Sequence, residues 1–262
     1  LLTSLKRQTV GYDLIEVDNT GGAYGSIAAA YNLAAKDAKG EYIIFIHQDV
    51  VLLSDSWLLR AEDMLNSIVN LGVAGIAGVR RKFISFFEGR NVIFHGGNWE
   101  RWGEPIKKPE AVQTLDECLI VIPRKNFDLI KFDDTTCSGW HLYAVDYCLE
   151  VGKIGFKAYV MPMSVYHNST GEYYETFWKI VLNLGRYKDE YYQTLERVLK
   201  KHKNSYSMIY TTCGNWRTRC PLKLQRIKAV IADLLLFYFV RQIKPLLFRP
   251  SHSKLMSSDE IL

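Results

Sequence analysis

The 262 residues are enough for one α/β domain with an appendage, and 48% of them are hydrophobic, as in an ordinary folded protein. The formal net charge of +5 is mild, so it fits anionic ligands such as nucleoside diphosphates or an anionic membrane surface and requires neither. Five scattered cysteines without a C-x-x-C pair exclude a disulfide framework, argue against zinc and indicate reduced thiols.

Neither a signal peptide nor a membrane span is predicted. Leu1–Thr9 has no long apolar run. Ala229–Val240 is the nearest candidate for a span, but it has about 12 residues, includes Asp233 and falls short of the roughly 18 that a bilayer requires. We therefore expect a cytoplasmic protein, at the inner face of the cell membrane if its C-terminal part binds lipid.

The first elements alternate between strands and helices. Tyr12–Val17 is a short apolar run that predicts a strand, and the alanine-rich Ser26–Ala38 predicts a helix. Glu41–Ile46 is a compact run with no polar interruption from Tyr42 to Ile46, typical of a strand buried on both faces of a parallel sheet. Ser54-Asp55-Ser56 then supplies an N-cap for a helix over Trp57–Val69.

Further elements of the same kinds follow. Strands are predicted over Val73–Val79, Glu117–Pro123 and Lys157–Val160, and a helix over Leu142–Val151. The stretch between Ile84 and Glu110 has no clear period and indicates loops with short strands. This alternation predicts a doubly wound α/β domain with a mainly parallel sheet.

The character of the sequence changes near residue 175. Phe177–Lys203 and Arg217–Val240 have apolar residues at helical spacing with basic residues between them. We predict a domain over 1–175 and a helical extension over 176–262. The basic faces fit solvent, or a membrane surface around Ile231–Val240. Nucleic acid is disfavoured, because no recognised binding motif accompanies the charges.

The most informative segment is Glu41–Asp49, a buried strand that ends in His-Gln-Asp. Ligands of open α/β folds bind at the carboxyl edge of the sheet, where this strand delivers polar side chains. The carboxylate of Asp49 can hold Mg²⁺ or Mn²⁺ there, and the cation recruits a diphosphate. The alternative is that Asp49 only caps the helix that begins near Ser54.

This segment belongs to a longer pattern that resembles family 2 glycosyltransferases of the GT-A fold. The resemblance runs from Leu1 to about Gly171. It is similar to a bacterial branch that includes sequences assigned as capsule glucosyltransferases, in which His-Gln-Asp replaces Asp-x-Asp. The matching positions are Asp18-Asn19, Gly21-Gly22, Asn32, Ala38-Lys39-Gly40-Glu41-Tyr42 and His47-Gln48-Asp49.

The resemblance implies an inverting transfer of a sugar from a nucleoside diphosphate donor, such as a UDP-sugar, to a hydroxyl of a glycan or lipid-linked saccharide. Asp18 and Asn19 then contact the base or ribose, and Gly21 and Gly22 let the backbone approach the nucleotide. In His47-Gln48-Asp49, Asp49 coordinates Mn²⁺ or Mg²⁺ on the diphosphate. His47 can hydrogen-bond ribose or phosphate, although it lacks a carboxylate's charge.

A second matching region, Trp140–His167, supplies the rest of the implied site. Asp146, Gly155, Pro162 and His167 reproduce the family's series, so His167 completes the metal site. The family's acidic pair, which holds the general base, falls on Tyr143-Ala144, and alanine cannot act as a base. The replacements that we consider are Asp146, which we favour, His141 and Asp134.

Other expectations concern the acceptor and the first strand. Trp99 or Trp102 can line an acceptor subsite or simply pack, and Asp116-Glu117 resembles the family's acceptor-side acidic pair. The family's opening strand has no counterpart from Leu1 onward, which would leave Tyr12–Val17 unpaired on one side. A catalytically weak nucleotide-sugar-binding homologue therefore stays open. A nucleotidyltransferase is less favoured, because we find no glycine-rich triphosphate loop.

Overall fold

The computed structural model describes residues 1–80, 89–96, 99–169 and 187–238. The helices in these ranges are α1 (Leu2–Leu5), α2 (Ile27–Ala34), α3 (Trp57–Asn66), α4 (Arg124–Leu129), α5 (Tyr143–Lys153), α6 (Asp189–His202) and α7 (Leu222–Tyr238). The strands are β1 (Tyr42–Ile46), β2 (Val50–Leu52), β3 (Leu71–Gly75), β4 (Gly78–Val79), β5 (Gly89–Arg90), β6 (Ile93–His95), β7 (Glu100–Trp102), β8 (Glu110–Val112), β9 (Thr114–Leu115), β10 (Leu119–Pro123), β11 (Lys157–Val160), β12 (Val165–His167), β13 (Met208–Thr211) and β14 (Gly214–Arg217).

A five-stranded sheet of order β1-β10-β3-β11-β8 forms the centre of the fold. β1, β3 and β11 run in one direction, and β10 and β8 run in the other. The predicted α/β class is confirmed. The sheet is mixed rather than mainly parallel, because β10 enters antiparallel between β1 and β3.

The two faces of this sheet bury two separate apolar clusters, as strand alternation requires. Phe45 and Ile120 face the cluster that contains α5 and α6, whereas Val121 faces the cluster that contains α3. Every residue of β3 and β10 is buried. The central strands are thus fixed from both sides, which makes the end of β1 a firm base for a site.

A second, four-stranded sheet of order β2-β12-β6-β7 stands beside the end of β1. β12 pairs antiparallel with β2 and parallel with β6. In this register, His167 lies opposite Val50 on one side and His95 on the other. The sheet therefore brings two histidines to the turn between β1 and β2.

Several predicted elements are confirmed, and one is wrong. The helices predicted over Ser26–Ala38, Trp57–Val69 and Leu142–Val151 begin within one residue of the expected positions, and the hydroxyl of Ser26 accepts a hydrogen bond from the N–H of Ala29. Residues 11–19, predicted to include a strand over Tyr12–Val17, have no regular secondary structure. The side chains of Leu14 and Ile15 are 48% and 37% exposed, so the apolar run has neither a sheet partner nor a core contact to make it a strand.

The C-terminal part is not purely helical as predicted, because the hairpin β13–β14 lies between α6 and α7. Tyr191 and Leu195 of α6 belong to the same apolar cluster as Tyr143 of α5. The predicted boundary at residue 175 lies outside the described residues and stays a prediction. None of the helices in the described ranges combines the length and apolar character needed to cross a bilayer.

Candidate metal centre and active site

The segment His47-Gln48-Asp49 forms a turn that connects β1 to β2. The N–H of Val50 donates to the carbonyl oxygen of His47 at 3.2 Å, and the N–H of His47 donates to the carbonyl of Cys118 at 3.0 Å. Gln48 is exposed at the tip, while His47 and Asp49 are half-buried. The predicted Asp49 position, at the end of a strand, is therefore the one that the fold produces.

His167, the last residue of β12, comes directly against this turn. Its Nε2 lies 3.2 Å from Oδ1 of Asp49, and the N–H of Asn168 donates to the carbonyl oxygen of Asp49 at 2.9 Å. His47, Asp49 and His167 each offer one ligand atom, and these three atoms lie within 4.8 Å of one another. The structure thus groups His47, Asp49 and His167, the residues predicted for diphosphate and metal.

Four of the six histidines in the chain belong to this cluster or interact with it. The ring centroid of His167 is 5.3 Å from that of His95 and 5.9 Å from that of His47. Burial, helped by the nearby His167, lowers the pKa of both His47 and His95. The fourth, His141, acts on His47 through its charge. Neutral imidazoles, which are metal ligands, are therefore favoured here.

Asp49 is held as a carboxylate. The hydrogen bond with His167 lowers the pKa of Asp49, and burial, which acts in the opposite direction, is outweighed. Its side chain keeps 33% of its exposure, against 11% for His167. The carboxylate is thus charged at neutral pH and reachable from solvent, as a metal ligand in an open site must be.

These three residues fit a divalent cation. One ion bound at about 2.0–2.2 Å by each ligand needs ligand atoms no more than ~4.4 Å apart. The atoms of Asp49 and His167 are 3.2 Å apart, and all three ligand atoms lie within 4.8 Å of one another. The Nδ1 of His167 is buried and has no hydrogen-bond partner, so the protein leaves one of the ring's two polar atoms unused. Two imidazoles and one carboxylate are a donor set for Mn²⁺ or a similar transition metal more than for Mg²⁺.

Asp116 and Glu117 lie beside the cluster, between β9 and β10. Both side chains are partly exposed but densely surrounded by protein. Asp116 accepts hydrogen bonds from the N–H of Cys118 at 3.1 Å and the hydroxyl of Thr212 at 3.0 Å. Burial favours a higher pKa for Asp116, but these bonds and His167 outweigh it and lower the pKa.

Glu117 is in the opposite electrostatic situation. Burial first, and then the charge of Asp116, raise the pKa of Glu117 to about 8. Its carboxylate faces the first turn of α5, where the N–H of Ala144 donates to Oε1 at 3.4 Å. The Tyr143 hydroxyl donates to the carbonyl of Glu117 at 2.8 Å and lies 3.4 Å from Nε2 of His47. Tyr143 therefore links Glu117 to the metal centre.

Asp146, the favoured base, belongs to a different group of residues. Its side chain is 2% exposed, and its two oxygens contact the Nζ of Lys201 at 2.8 Å and the Nε2 of His202 at 2.7 Å. Lys201 also reaches Asp133 at 2.8 Å and Glu150 at 3.3 Å. The ammonium group of Lys201 pairs with all three carboxylates, so these residues join α5 to α6 and leave Asp146 poorly placed to meet a substrate.

The predicted nucleotide-contact residues lie in the loop before α2. Oδ1 of Asp18 accepts from the N–H and the hydroxyl of Thr20, both at 2.8 Å, which lowers the pKa of Asp18. The amide of Asn19 hydrogen-bonds both the N–H and the carbonyl of Tyr24. Gly22 has a φ of 69°, which glycine adopts without strain, and Gly21 is exposed. These contacts make a preformed, solvent-facing turn.

The two tryptophans proposed for the acceptor have different surroundings. Trp99 is 53% exposed and stacks on Tyr166 at 4.4 Å between ring centroids. Tyr166 and His167 are neighbours on β12, so they face opposite sides of the sheet, and Trp99 lies on the side away from the metal centre. Trp102 packs against the α3-side apolar cluster. The structure gives neither ring a place beside Asp49.

Sequence reasoning missed Lys201, His202 and His95. Lys201 and His202 lie in a basic run that has the pattern of a solvated helix face, and only the docking of α6 shows that they point inward. His95 ends a three-residue strand in a stretch without a clear period and has no motif around it, so the sequence offered no signal for it.

A comparison with family models bears on the segment that carries the first part of the candidate site. Residues 5–87, which include His47 and Asp49, match the model of a family described as "Glycosyltransferase like family". This match confirms the predicted enzyme class, a glycosyltransferase-like protein, for that segment. The particular branch with His-Gln-Asp and its link to capsule synthesis stay predictions.

A curated protein from Fuscovulum blasticum, "ATP synthase subunits region ORF 6", is 29% identical over 135 residues. The alignment covers 49% of this chain and 52% of that protein, so the chain spans about half the length of this curated relative.

Two solved glycosyltransferases are similar in structure. The mannosyltransferase PcManGT from Pyrobaculum calidifontis, in complex with GDP-Man and Mn²⁺, has a TM-score of 0.45 and 13% identity, with 94% of this chain and 66% of that chain covered. GalNAc-T7 with UDP, GalNAc and Mn²⁺ has a TM-score of 0.41 and 12% identity, with 86% and 44% covered. The nucleotides and the metal belong to those two proteins.

Proposed function

We propose that this chain is a metal-dependent glycosyltransferase that moves a sugar from a nucleoside diphosphate donor to a hydroxyl group. The observation that carries the proposal is the cluster of His47, Asp49 and His167. It lies at the end of β1, and two of its members are inside the segment that matches the glycosyltransferase-like family. An open cation site at a strand end is where an α/β fold binds a nucleotide.

The metal would be held by Asp49 and His167, with His47 as a third ligand. When bound, a divalent cation there neutralises the charge that builds on the leaving diphosphate. Because two of the three donors are imidazole nitrogens, we propose Mn²⁺ in preference to Mg²⁺. Among the described residues, Asp49 pairs with His167 and with no Lys or Arg, so no protein ammonium or guanidinium group occupies the place of the metal.

The donor and acceptor follow from the resemblance of the sequence and from the shape of the nearby loop. We propose a UDP-sugar, with Asp18 and Asn19 contacting its base or ribose. The preformed turn of Asp18 and the exposed Gly21 and Gly22 support this role, since glycine allows a close approach of the backbone. The proposed acceptor is a hydroxyl of a glycan or a lipid-linked saccharide, and the proposed stereochemical outcome is inversion.

A screen of nucleotide sugars by thermal unfolding tests the proposal. UDP- and GDP-sugars are added with and without Mn²⁺, because a ligand that binds only the native state raises its stability. The proposal expects Mn²⁺ to raise Tm and the nucleotide to add a further shift only when Mn²⁺ is present, followed by release of nucleoside diphosphate on longer incubation. A protein that shows neither shift nor release with any of these donors contradicts it.

A second candidate function is a nucleotide-sugar-binding protein without turnover. The observation in its favour is that Ala144 and the enclosed Asp146 leave no base at the expected positions. This candidate expects tight, Mn²⁺-dependent UDP binding and no release of diphosphate from any UDP-sugar. Release that is proportional to enzyme concentration contradicts it.

We also propose that α7 contacts a membrane surface. Leu224, Ile231 and Leu235 are 52%, 49% and 66% exposed, and their spacing puts them on one side of the helix. Arg226, by contrast, is engaged with the protein, since it lies over the ring of Tyr192 at 3.8 Å. The rest of the predicted anchor, from residue 239 onward, lies outside the described residues.

A further inference from the structure

The carboxylate of Glu117 faces the first turn of α5, and the main chain of this residue is linked to the metal centre through Tyr143. Its Oε1 accepts from the N–H of Ala144, and its main-chain carbonyl accepts from Tyr143, whose hydroxyl also lies 3.4 Å from His47. Glu117 is therefore one side chain away from a metal ligand without itself being part of the ligand cluster.

The other carboxylates of this region are already engaged. Asp49 belongs to the metal cluster, and Asp116 is held by Thr212 and the N–H of Cys118. Asp146 is enclosed with Lys201 and His202. Among the described residues, Glu117 has no Lys or Arg within ion-pair distance, so no cation keeps its negative charge from taking a proton.

The surroundings of Glu117 also suit proton exchange near neutral pH. Burial raises its pKa to about 8, and hydrogen bonds from the amides of residues 142–144 keep the charged form accessible. Asp116 adds a repulsive charge. The other titratable groups that act with Glu117 stay neutral because burial raises their pKa: these are Tyr31, Tyr143, Tyr191, Cys137, Cys148 and Cys213.

We propose that Glu117 is the general base of the transfer reaction, in place of an acid at position 144. This inference rests on the proposed function. A carboxylate oxygen of Glu117 takes the proton of the acceptor hydroxyl while that oxygen forms its bond to the anomeric carbon. The bond from the anomeric carbon to the diphosphate oxygen breaks, its electron pair leaves with the nucleoside diphosphate, and Glu117 ends protonated.

Replacing Glu117 by glutamine tests this role, because glutamine keeps the size of the side chain and cannot take the proton. The assay is Mn²⁺-dependent release of nucleoside diphosphate from the UDP-sugar that best stabilises the protein, with water as the acceptor. We expect E117Q to lower kcat by about 10²–10⁴-fold, as for other general bases, and to keep the thermal shift with UDP and Mn²⁺. Glu62→Gln, an exposed change on α3, is the matched control and should keep wild-type kcat.

The pH profile separates a base from a residue that only supports the fold. In the wild type, kcat should fall about tenfold per pH unit on the acid side of the apparent pKa of Glu117, because only the deprotonated form reacts. E117D should keep this fall in kcat at acid pH, at a reduced overall rate, and E117Q should lose the fall. An E117Q variant that folds, binds UDP with Mn²⁺ and turns over within threefold of wild type overturns the inference, while the proposed function stands. A wild type that binds UDP with Mn²⁺ and never releases it from a donor overturns both.

Discussion

Oδ1 of Asp49 lies 3.2 Å from Nε2 of His167, although the two residues come from opposite ends of the α/β region. The antiparallel pairing of β2 with β12 produces this contact, because it sets His167 opposite Val50, the residue after Asp49. The metal centre therefore depends on strand register as much as on the His-Gln-Asp turn. A shift of one residue in β12 would turn His167 to the other face of its sheet.

Replacing Asp49 by Ala should abolish the response to metal. In the wild type, Mn²⁺ at 100 times its dissociation constant should add about 2.7 kcal/mol of stability, roughly 5–10 °C in Tm for a chain of this size. D49A loses the only carboxylate of the cluster and should show almost no Mn²⁺-dependent shift by thermal unfolding. Asp63→Ala, an exposed change on α3, is the control and should keep the full shift. An undiminished shift in D49A would exclude this metal site.

Replacing His47 by Asp should change which metal is preferred. The wild-type donor set has two imidazoles, so Mn²⁺ should stabilise the protein more than Mg²⁺ at equal concentration. H47D exchanges one nitrogen donor for an oxygen donor and should raise the Mg²⁺ response relative to the Mn²⁺ response. Thermal unfolding with each metal chloride measures both. Equal ratios in wild type and H47D would mean that residue 47 is not a ligand.

Replacing Lys201 by Met should destabilise the protein strongly. The change leaves Asp146, which is 2% exposed, with one of its two partners removed, and breaking such a buried pair costs about 3–5 kcal/mol. Urea unfolding measures the loss. The double variant D146N/K201M should recover part of it, because the uncompensated charge is gone. A K201M protein as stable as wild type would contradict a structural role for this group.

The ion pair between Lys201 and Asp133 should also make the free energy of unfolding depend on pH. Burial favours a higher pKa for Asp133, but the hydrogen bonds from Lys201 and Thr136 outweigh it and lower the pKa. A lowered folded-state pKa gives stability that is present above the unfolded pKa of about 3.9 and is lost as the pH falls toward the folded value. Wild-type stability should therefore drop on acidification below pH ~4, and K201M should show a smaller drop over the same range. Parallel pH curves for the two proteins would contradict the pairing.

Replacing Ile231 and Leu235 by Ser should weaken binding to anionic vesicles. Both side chains are exposed on α7, and inserting them into the lipid interface would bury their apolar surface. The double variant should bind phosphatidylglycerol vesicles at least tenfold more weakly in a sedimentation assay, about 1.4 kcal/mol. Val69→Ser, exposed and away from α7, is the control. A wild type that stays in the supernatant would contradict membrane contact.

The sequence predicted the elements that have a clear local pattern of apolar residues. β1 and β10 are long apolar runs, and burial on both sides makes such runs reliable. Tyr12–Val17 is less apolar, since it includes Asp13 and Glu16, and a strand also needs a partner, about which a single segment contains no information. The direction of β10 was inaccessible for the same reason, since pairing joins distant parts of the chain.

The same distinction, between local signals and contacts with distant parts of the chain, applies to the residues of the site. Asp49 and His167 could be predicted because a strand end and a resemblance both pointed to them. The environment of Asp146 could not, since it is determined by Lys201 and His202 on a helix beyond the predicted boundary. Glu117 was noticed only as half of an acidic pair, and its approach to Ala144 became visible once α5 was placed.

The ion group between α5 and α6 has a consequence for how the chain unfolds. Two carboxylates of α5, Asp146 and Glu150, pair with a single cation, Lys201, which comes from after residue 186. A fragment that ends at residue 175 would retain the buried acid and lose both of its partners, Lys201 and His202, so it should be obtained as aggregated material. The intact chain should melt in one calorimetric transition, with the nucleotide loop and the C-terminal hairpin losing their structure together.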